Sequence, residues 1–110
     1  MAKFMALYTG DPNARPAELD HDAMARGMAA WQAWGAKYKD RIVEFGGPLG
    51  KTKRVDKNGV ADASNNIAAY VIVDAESQDA AARMFVDHPH FAIFPGDGVD
   101  IMPCMPVPGA

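Results

Sequence analysis

Lys3–Thr9 reads KFMALYT, and its apolar side chains fall on both faces of a predicted strand. Ile67–Asp74, which reads IAAYVIVD, has the same property. A strand that is apolar on two sides is covered on two sides, so both segments are predicted to be central strands of one sheet. The turn residues Gly10-Asp11-Pro12-Asn13 are expected to end the first strand.

An amphipathic helix is predicted after this strand, over Glu18–Asp40. Its apolar stripe recurs at steps of four and three residues and consists of Met24, Met28, Trp31, Gly35, Tyr38 and Ile42. Asp20 is the predicted N-cap, and Gly46-Gly47-Pro48 is expected to terminate the helix.

The next strand is predicted at Leu49–Val55, and the turn Asp56-Lys57-Asn58-Gly59 closes it. Asn-Gly is a strong hairpin signal. A polar stretch at Asp62–Asn66 follows, so Ile67–Asp74 is predicted to be the strand that returns from this hairpin.

A second helix and an edge strand are predicted for the rest of the chain. Ser77 is the expected N-cap of the helix, and Pro89 is expected to end it. The inward stripe of this helix is Ala81, Met84, Phe85 and His88. The last strand is predicted at about Val99–Met105, where Pro103 and Pro106 favour a position at the sheet edge.

The resulting order, strand–helix–strand–strand–helix–strand, is the ferredoxin-like α+β arrangement with a four-stranded antiparallel sheet. We expect one domain over residues 1–110, with a frayed tail at residues 106–110. Two helices cover only one face of such a sheet, and the other face is also apolar. A second copy stacked on that face is the simplest cover, so the patterning predicts a homodimer.

Composition limits the class of protein. The chain has 110 residues, is 49% hydrophobic and carries a net charge of −3, which lacks the basic excess of a nucleic-acid binder. Its longest uncharged stretches, Ala63–Val73 and Ile101–Ala110, are shorter than the roughly 18 apolar residues of a membrane span. A single cysteine, Cys104, forms no internal disulfide, so we expect a cytoplasmic protein. No dinucleotide fingerprint or other cofactor motif is present, so no cofactor is predicted.

Several segments together resemble the YCII-related family, also called DGPF, whose members are small dimeric α+β barrel proteins. The matching segments run nearly end to end and are FMALYTGD, AWQAWGAKYKD, GGPLGKTKRV followed by NG, AAYVIVDAES and HPHF. The DGPF motif itself is replaced here by VADASNN at Val60–Asn66, so its role is not transferred. The resemblance implies a dimeric barrel fold with a cleft between helix and sheet.

The resemblance also implies a possible activity. A His/Asp pair is proposed as acid and base in some members, and a related branch removes chloride from an aromatic substrate. One relative has its candidate histidine near the start of the first helix, a position that His21 could match.

Asp87-His88-Pro89-His90 is the densest polar cluster of the sequence. Histidine titrates near neutral pH, so His88 or His90 would act as base and then acid, with Asp87 or Asp97 orienting it. Two histidines two residues apart could instead hold a metal, although no third strong ligand is evident nearby unless Asp97 reaches them. In the structural interpretation, His88 ends the helix and His90 packs in a loop.

Aromatic residues would line the cleft, namely Trp31, Trp34, Tyr70, Phe91 and Phe94. Of the two tryptophans, Trp31 fits the buried stripe better, and Trp34 is expected at the edge of the cleft or at the dimer interface. Lys51 could bind a substrate anion, although lysines on an edge strand more often block unwanted strand pairing. Cys104 has no partner in sequence that would activate it, so it is interpreted as a small apolar residue.

We therefore expect a small homodimer with one cleft per subunit. The first hypothesis is a cofactor-free acid/base enzyme, of isomerase, lyase or hydrolase type, that acts on a small, aromatic or lactone-like acid. The alternative is a non-catalytic module that uses the same cleft or surface for a ligand or a larger protein.

Overall fold

The computed structural model describes residues 1–11 and 20–109. In chain order the strands and helices are β1 (Ala2–Gly10), α1 (His21–Lys37), β2 (Ile42–Pro48), β3 (Thr52–Asp56), β4 (Gly59–Ala63), β5 (Ile67–Ala75), α2 (Gln78–Arg83), α3 (Pro89–Ala92) and β6 (Gly96–Pro103). The predicted turn residues Pro12 and Asn13 and the predicted helix start at Glu18 lie outside the described residues.

A four-stranded antiparallel sheet has the order β2-β5-β1-β6, and β3 and β4 form a separate two-stranded sheet. The two strands that are apolar on both faces, β1 and β5, are the central pair, and β6 lies at an edge, as the sequence predicts. The fold is α+β and is consistent with the ferredoxin-like arrangement.

The core lies between the helices and one face of the sheet. It consists of Phe4, Ala6, Tyr8, Trp34, Ala69, Val71, Val73, Ala75, Ala81, Met84 and Phe85. Met5, Leu7, Tyr70 and Ile72 alternate with the core residues of β1 and β5 and are only half-buried. We call the sheet face that these four residues define the outer face.

Helix α1 begins where Asp20 accepts a hydrogen bond from the Ala23 N–H and ends at Lys37, three residues before the predicted end. Its buried residues are Gly27, Trp34 and Gly35, so the predicted stripe is rotated. Met28, which the sequence places inside, is 50% exposed. Trp34 is the buried tryptophan and Trp31 is only half-buried, which reverses the predicted order.

Strand β2 is missing from the sequence prediction, which took Ile42 as helical and Gly46-Gly47-Pro48 as a terminator. The pairing of β2 with β5 is irregular, with register shifts after Ile42 and after Glu44. Gly46 has a φ of 65°, and a Cβ there would collide with the Tyr70 carbonyl oxygen. A distorted edge strand that contains two glycines shows no regular alternation of apolar and polar residues from which it could be predicted.

The predicted hairpin turn is confirmed, but its return strand is wrong. Asp56 pairs with Gly59 across a two-residue loop, and the chain returns along β4 rather than along Ile67–Asp74. Every residue of β4 is exposed, so no apolar pattern marks it.

Helix α2 starts at the predicted cap, where the Ala80 N–H donates to Ser77 Oγ, but ends at Arg83. The predicted inward residues are nevertheless buried, because the turn that follows keeps Met84, Phe85 and His88 facing the sheet. Pro89 begins the short helix α3 instead of ending α2, which suits its fixed φ and missing N–H. β6 correspondingly runs from Gly96 to Pro103 rather than from Val99 to Met105.

Candidate functional site

Tyr8 and His88 meet in the core although they lie 80 residues apart in sequence. The Tyr8 hydroxyl and His88 Nε2 are 3.1 Å apart, and the two residues are 2% and 0% exposed. β1 turns Tyr8 toward the helices, and the turn after α2 turns His88 toward the sheet. This contact is a polar pair among mostly apolar side chains.

The tautomer of His88 follows from its second contact. The backbone N–H of His90 donates to His88 Nδ1 at 3.0 Å, which also makes His88 the N-cap of α3. Nδ1 therefore carries a lone pair, and in the neutral ring the proton lies on Nε2. His88 then donates to the Tyr8 oxygen, and the hydroxyl proton of Tyr8 is left for another acceptor.

Electrostatics keep this pair neutral. Burial first, and the neighbouring His90 second, lower the pKa of His88 from 6.5 to about 4. Burial raises the pKa of Tyr8 well above its ordinary value. At neutral pH the pair is thus an uncharged imidazole that donates to an uncharged phenol.

His90 has the complementary arrangement. Its Nε2 lies 2.7 Å from the backbone oxygen of Thr9, and a carbonyl only accepts, so Nε2 bears the proton. In the neutral ring the lone pair is then on Nδ1, which no donor contacts among the described residues. His90 is 8% exposed, and a Cβ on Gly96 would come within 2.5 Å of its backbone oxygen. Gly96 therefore allows this close approach.

Aromatic rings surround the three polar side chains. The Trp31 ring centroid lies 4.7 Å from that of His88 and 5.1 Å from that of Tyr8. Trp34 packs 4.8 Å from His88, and its Nε1 donates to the Met84 carbonyl at 2.7 Å. Phe94 lies 6.0 Å from Trp31.

We call Tyr8, His88, His90, Trp31, Trp34 and Phe94 the His–Tyr cluster. Five of these residues were predicted from sequence. Tyr8 was missed, and the only local signal for it is a phenol on the inward face of an otherwise apolar strand.

The remaining predicted site residues do not join the cluster. Asp87 is exposed with a φ of 57°, and among the described residues it makes no hydrogen bond to either imidazole. Asp97 is exposed on β6, Phe91 is 38% exposed, and His21 is exposed at the first position of α1.

Three further residues singled out from the sequence, Tyr70, Lys51 and Cys104, lie away from the cluster. Tyr70 lies on the outer face, where its hydroxyl donates to Glu44 at 3.0 Å. Lys51 is exposed and precedes β3 rather than lying within it, and Cys104 is exposed rather than packed.

Shallow surface grooves lie elsewhere on the described part of the chain. The groove between α2 and β6, of about 550 Å³, is lined by Gln78, Asp79, Ala82, Val99, Asp100 and Ile101. A second groove, of about 640 Å³, lies near the end of α1 and includes Lys37, Arg41 and Glu76.

Within residues 1–11 and 20–109, no group of three His, Cys, Asp or Glu side chains is arranged to hold a metal ion. Over the same residues, no helix has the length and hydropathy needed to cross a membrane.

The chain is similar in fold to solved structures of known proteins. No family model and no curated protein matches the chain. Among solved structures, the chain is similar to 5-chloro-2-hydroxyhydroquinone dehydrochlorinase (TftG) from Burkholderia phenoliruptrix in complex with 2,5-dihydroxybenzoquinone. The identity is 22%, the match covers 94% of this chain and 93% of that one, and the TM-score is 0.55. This likeness shows a shared α+β fold, as the sequence resemblance implies.

Proposed function

We propose that the protein is a small-molecule enzyme of the YCII-related kind that transfers protons on a flat, oxygenated ring without a cofactor. The observation that carries this proposal is the His–Tyr cluster, in which a phenol proton and an imidazole lone pair lie on stacked rings. The Tyr8 and His90 centroids are 5.1 Å apart and the ring planes differ by 24°. The structural neighbour, a dehydrochlorinase with a bound dihydroxybenzoquinone, supports the substrate class.

The roles proposed here differ from those predicted from the sequence, and the hydrogen bonds of the cluster support them. His88 is a positioning residue, because its lone pair is occupied by the His90 N–H and its proton by Tyr8. His90 Nδ1 is the base that takes a proton from a ring carbon or hydroxyl of the substrate. Tyr8 is the acid that gives its proton to a substrate carbonyl oxygen.

The proposed reaction conserves protons. Isomerisation removes one proton at His90 and adds one from Tyr8, and solvent returns the proton from the imidazolium to the phenolate. In an elimination, the base removes the proton and the leaving group departs as an anion. A ring reaches these groups by displacing Trp31 and Phe94, the half-buried aromatics of the cluster.

A homodimer formed through the outer face is part of the same proposal. The outer face consists of apolar side chains and Tyr70, and no helix of the described chain packs on it. Leaving such side chains in water costs about 1.5–3 kcal/mol for each one that could be fully buried. A second copy of the same sheet is complementary to this face by symmetry.

The burial of the imidazoles favours a second candidate, a non-catalytic ligand-binding or accessory module. His88 is 0% exposed with both ring nitrogens engaged inside the protein. A satisfied internal histidine of this kind also stabilises a fold with no role in chemistry.

Hydrogen–deuterium exchange separates the two candidates. The probe is 2,5-dihydroxybenzoquinone in deuterated buffer, with binding followed by tryptophan fluorescence and loss of the ring C–H signal by proton NMR. We expect binding and accelerated exchange, with the exchange rate lowered at least about 100-fold by Tyr8→Phe or His90→Gln. Tyr38→Phe is the matched control, because this half-buried tyrosine lies outside the cluster.

Binding with exchange at the buffer rate would support the non-catalytic module instead. No binding by the folded protein would refute the proposed substrate class.

A further inference from the structure

The two groups that the proposed reaction needs, Tyr8 and His90, are closed off from solvent. They are 2% and 8% exposed, so neither meets a ligand in this conformation. The Trp31 ring lies against both, with centroid distances of 5.1 Å to Tyr8 and 6.2 Å to His90. Trp31 itself is half-buried, so its indole separates the polar groups from the surface. A ligand therefore reaches them only when Trp31 moves.

A second ring, that of Phe94, holds Trp31 in place. Phe94 lies in the bend between α3 and β6, and its ring centroid is 6.0 Å from that of Trp31. The backbone N–H of Phe94 donates to the Pro89 carbonyl at 2.9 Å, which ties the bend to the start of α3. No ring contact joins Phe94 to Tyr8 or His90 within residues 1–11 and 20–109. Phe94 therefore acts on the two polar groups through Trp31.

Gly27 provides the seat for the Phe94 ring. It is a buried residue inside α1, and a Cβ there would lie under 3.0 Å from three atoms of that ring, Cζ, Cε1 and Cε2. Glycine inside a helix is destabilising relative to alanine, so helix formation alone does not favour it here. The missing side chain opens a notch in the surface of α1, and the tip of the Phe94 ring fills it. We call this space the Gly27 notch.

The Gly27 notch is also the space into which Trp31 can turn. Gly27 precedes Trp31 by four residues, so the two lie on the same face of α1, one turn apart. Helical side chains point toward the N-terminus, and the favoured rotamers of an aromatic residue place its ring over the preceding turn. The indole can therefore change rotamer toward the notch only when Phe94 has left it. The notch holds one of the two rings at a time.

We propose that Phe94 and Trp31 form a two-ring gate over the proposed active site. In the closed state Phe94 fills the Gly27 notch, and Trp31 covers Tyr8 and His90. In the open state Phe94 swings out, Trp31 turns into the notch, and the flat ring of a ligand takes the place of the indole. Phe94 is thus a positioning residue that controls entry through Trp31. This inference rests on the proposed function, because it states how the ligand of that site enters.

Acylation by diethyl pyrocarbonate tests the gate without any ligand. The reagent attacks an imidazole nitrogen that bears a lone pair, and mass spectrometry reads the chain's three histidines separately. His21 is exposed and serves as the reference for reagent activity. His88 is 0% exposed and its Nδ1 accepts from the His90 N–H, so it reacts only when the protein unfolds. The rate at His90, normalised to His21, reports opening of the gate.

Phe94→Ala removes the ring that fills the notch. We expect the acylation rate of His90 to rise about 10-fold, because the loss of an aromatic pair frees Trp31 to turn, with the rates at His21 and His88 unchanged. Phe94→Leu keeps an apolar side chain and should change the rate in the same direction by a smaller factor. Phe91→Ala is the matched control, because Phe91 is 38% exposed on α3 and makes no ring contact among the described residues.

The double variant G27A/F94A tests the notch itself. The new Cβ occupies the space into which Trp31 turns, so we expect the acylation rate of His90 to fall back to that of the wild type. Stopped-flow tryptophan fluorescence with 2,5-dihydroxybenzoquinone should follow the same pattern. We expect association about 10-fold faster in F94A than in the wild type, and the wild-type rate in G27A/F94A.

The outcomes separate the gate from the chemistry. An unchanged His90 rate in F94A overturns the gate, and so does a His88 rate that rises in step with that of His90, because access then comes from unfolding. Equal His90 rates in F94A and G27A/F94A overturn the role of the notch. The exchange assay on 2,5-dihydroxybenzoquinone decides the chemistry independently. A gated His90 in a protein that does not bind this quinone would refute the substrate class and leave the gate standing.

Discussion

The backbone N–H of His90 donates to Nδ1 of His88, and this bond determines which ring nitrogen of His88 carries the proton. Protonation of His88 would place a second hydrogen on the line of this bond. The Tyr8 contact at Nε2 would remain, since an imidazolium still donates there. An acid-induced change should therefore begin at the start of α3.

Acid should destabilise the protein through His88. The folded-state pKa of His88 is lowered to about 4 from 6.5, so the unfolded chain binds this proton more readily. The free energy of unfolding is then highest above pH 6.5, falls as the pH drops through that value, and loses roughly 3 kcal/mol by about pH 4. Urea unfolding between pH 7.5 and pH 4 measures this loss.

His88→Asn removes the titrating group and should flatten the dependence of the free energy of unfolding on pH between pH 7.5 and pH 4. His21→Gln, at an exposed position, is the matched control and should keep the pH dependence of the wild type. Parallel profiles for the wild type and His88→Asn would contradict the assignment, because other groups would then account for the acid sensitivity.

In their neutral forms, the two buried histidines should both be Nε2–H tautomers. His88 Nδ1 accepts a hydrogen bond and so carries no proton, which leaves the proton of the neutral ring on Nε2. His90 Nε2 faces the Thr9 carbonyl oxygen and so carries the proton that it donates. Long-range ¹H–¹⁵N NMR distinguishes protonated from unprotonated ring nitrogens. An Nδ1–H signal for His88 would mean that it does not cap α3, and one for His90 would remove the base from the proposed mechanism.

Strands with two apolar faces could be located from sequence, because burial on both sides leaves a pattern in every residue. This is why β1 and β5 were predicted as central strands. β2 could not be located from the sequence, because Phe45 packs against Gly35 on α1 and the glycines that follow distort the strand. The signal for β2 lies in contacts between distant residues rather than in local periodicity.

The candidate site shows the same limit. His88 and His90 were found because they are neighbours in sequence, and the tryptophans because they share a helix. Tyr8 is the partner of His88 across 80 residues, and no local pattern reports such a pairing. Asp87 adjoins His88 in sequence but is exposed, and adjacency in sequence does not show which way the chain turns a side chain.

Gly96→Ala should displace His90. A Cβ at this position would come within 2.5 Å of the His90 backbone oxygen and would also meet the imidazole, so backbone must shift. We expect the free energy of unfolding to fall by about 1–3 kcal/mol. The His90 ring signals should also move as the bond to Thr9 is lost.

Gly98→Ala is the matched control, because a Cβ at Gly98 has nothing within 4 Å. Equal effects of the two substitutions would show that lost backbone flexibility, rather than contact with His90, explains the result.

Trp34→Phe should cost more stability than Trp31→Phe. Phenylalanine keeps most of the ring packing but removes the N–H that donates to the Met84 carbonyl at 2.7 Å, and this leaves a buried acceptor unpaired. That loss is worth about 1–3 kcal/mol. The Trp31 indole makes no such hydrogen bond among the described residues, so its replacement should cost less. Thermal and urea unfolding of both variants give the comparison, and a smaller effect at Trp34 would contradict the structure.

Ile72→Glu should separate the proposed dimer while leaving the fold intact. Ile72 is half-buried in the middle of the outer face, opposite Met5 on β1, so a carboxylate there would be placed in an apolar interface between two sheets. A buried unpaired charge costs several kcal/mol, which shifts a micromolar dimer to monomer at any practical concentration. Sedimentation should then report a particle of 11.8 kDa with an unchanged circular dichroism spectrum. The exposed Val86→Glu should remain dimeric, and a variant at Ile72 that stays dimeric would place the interface on another surface.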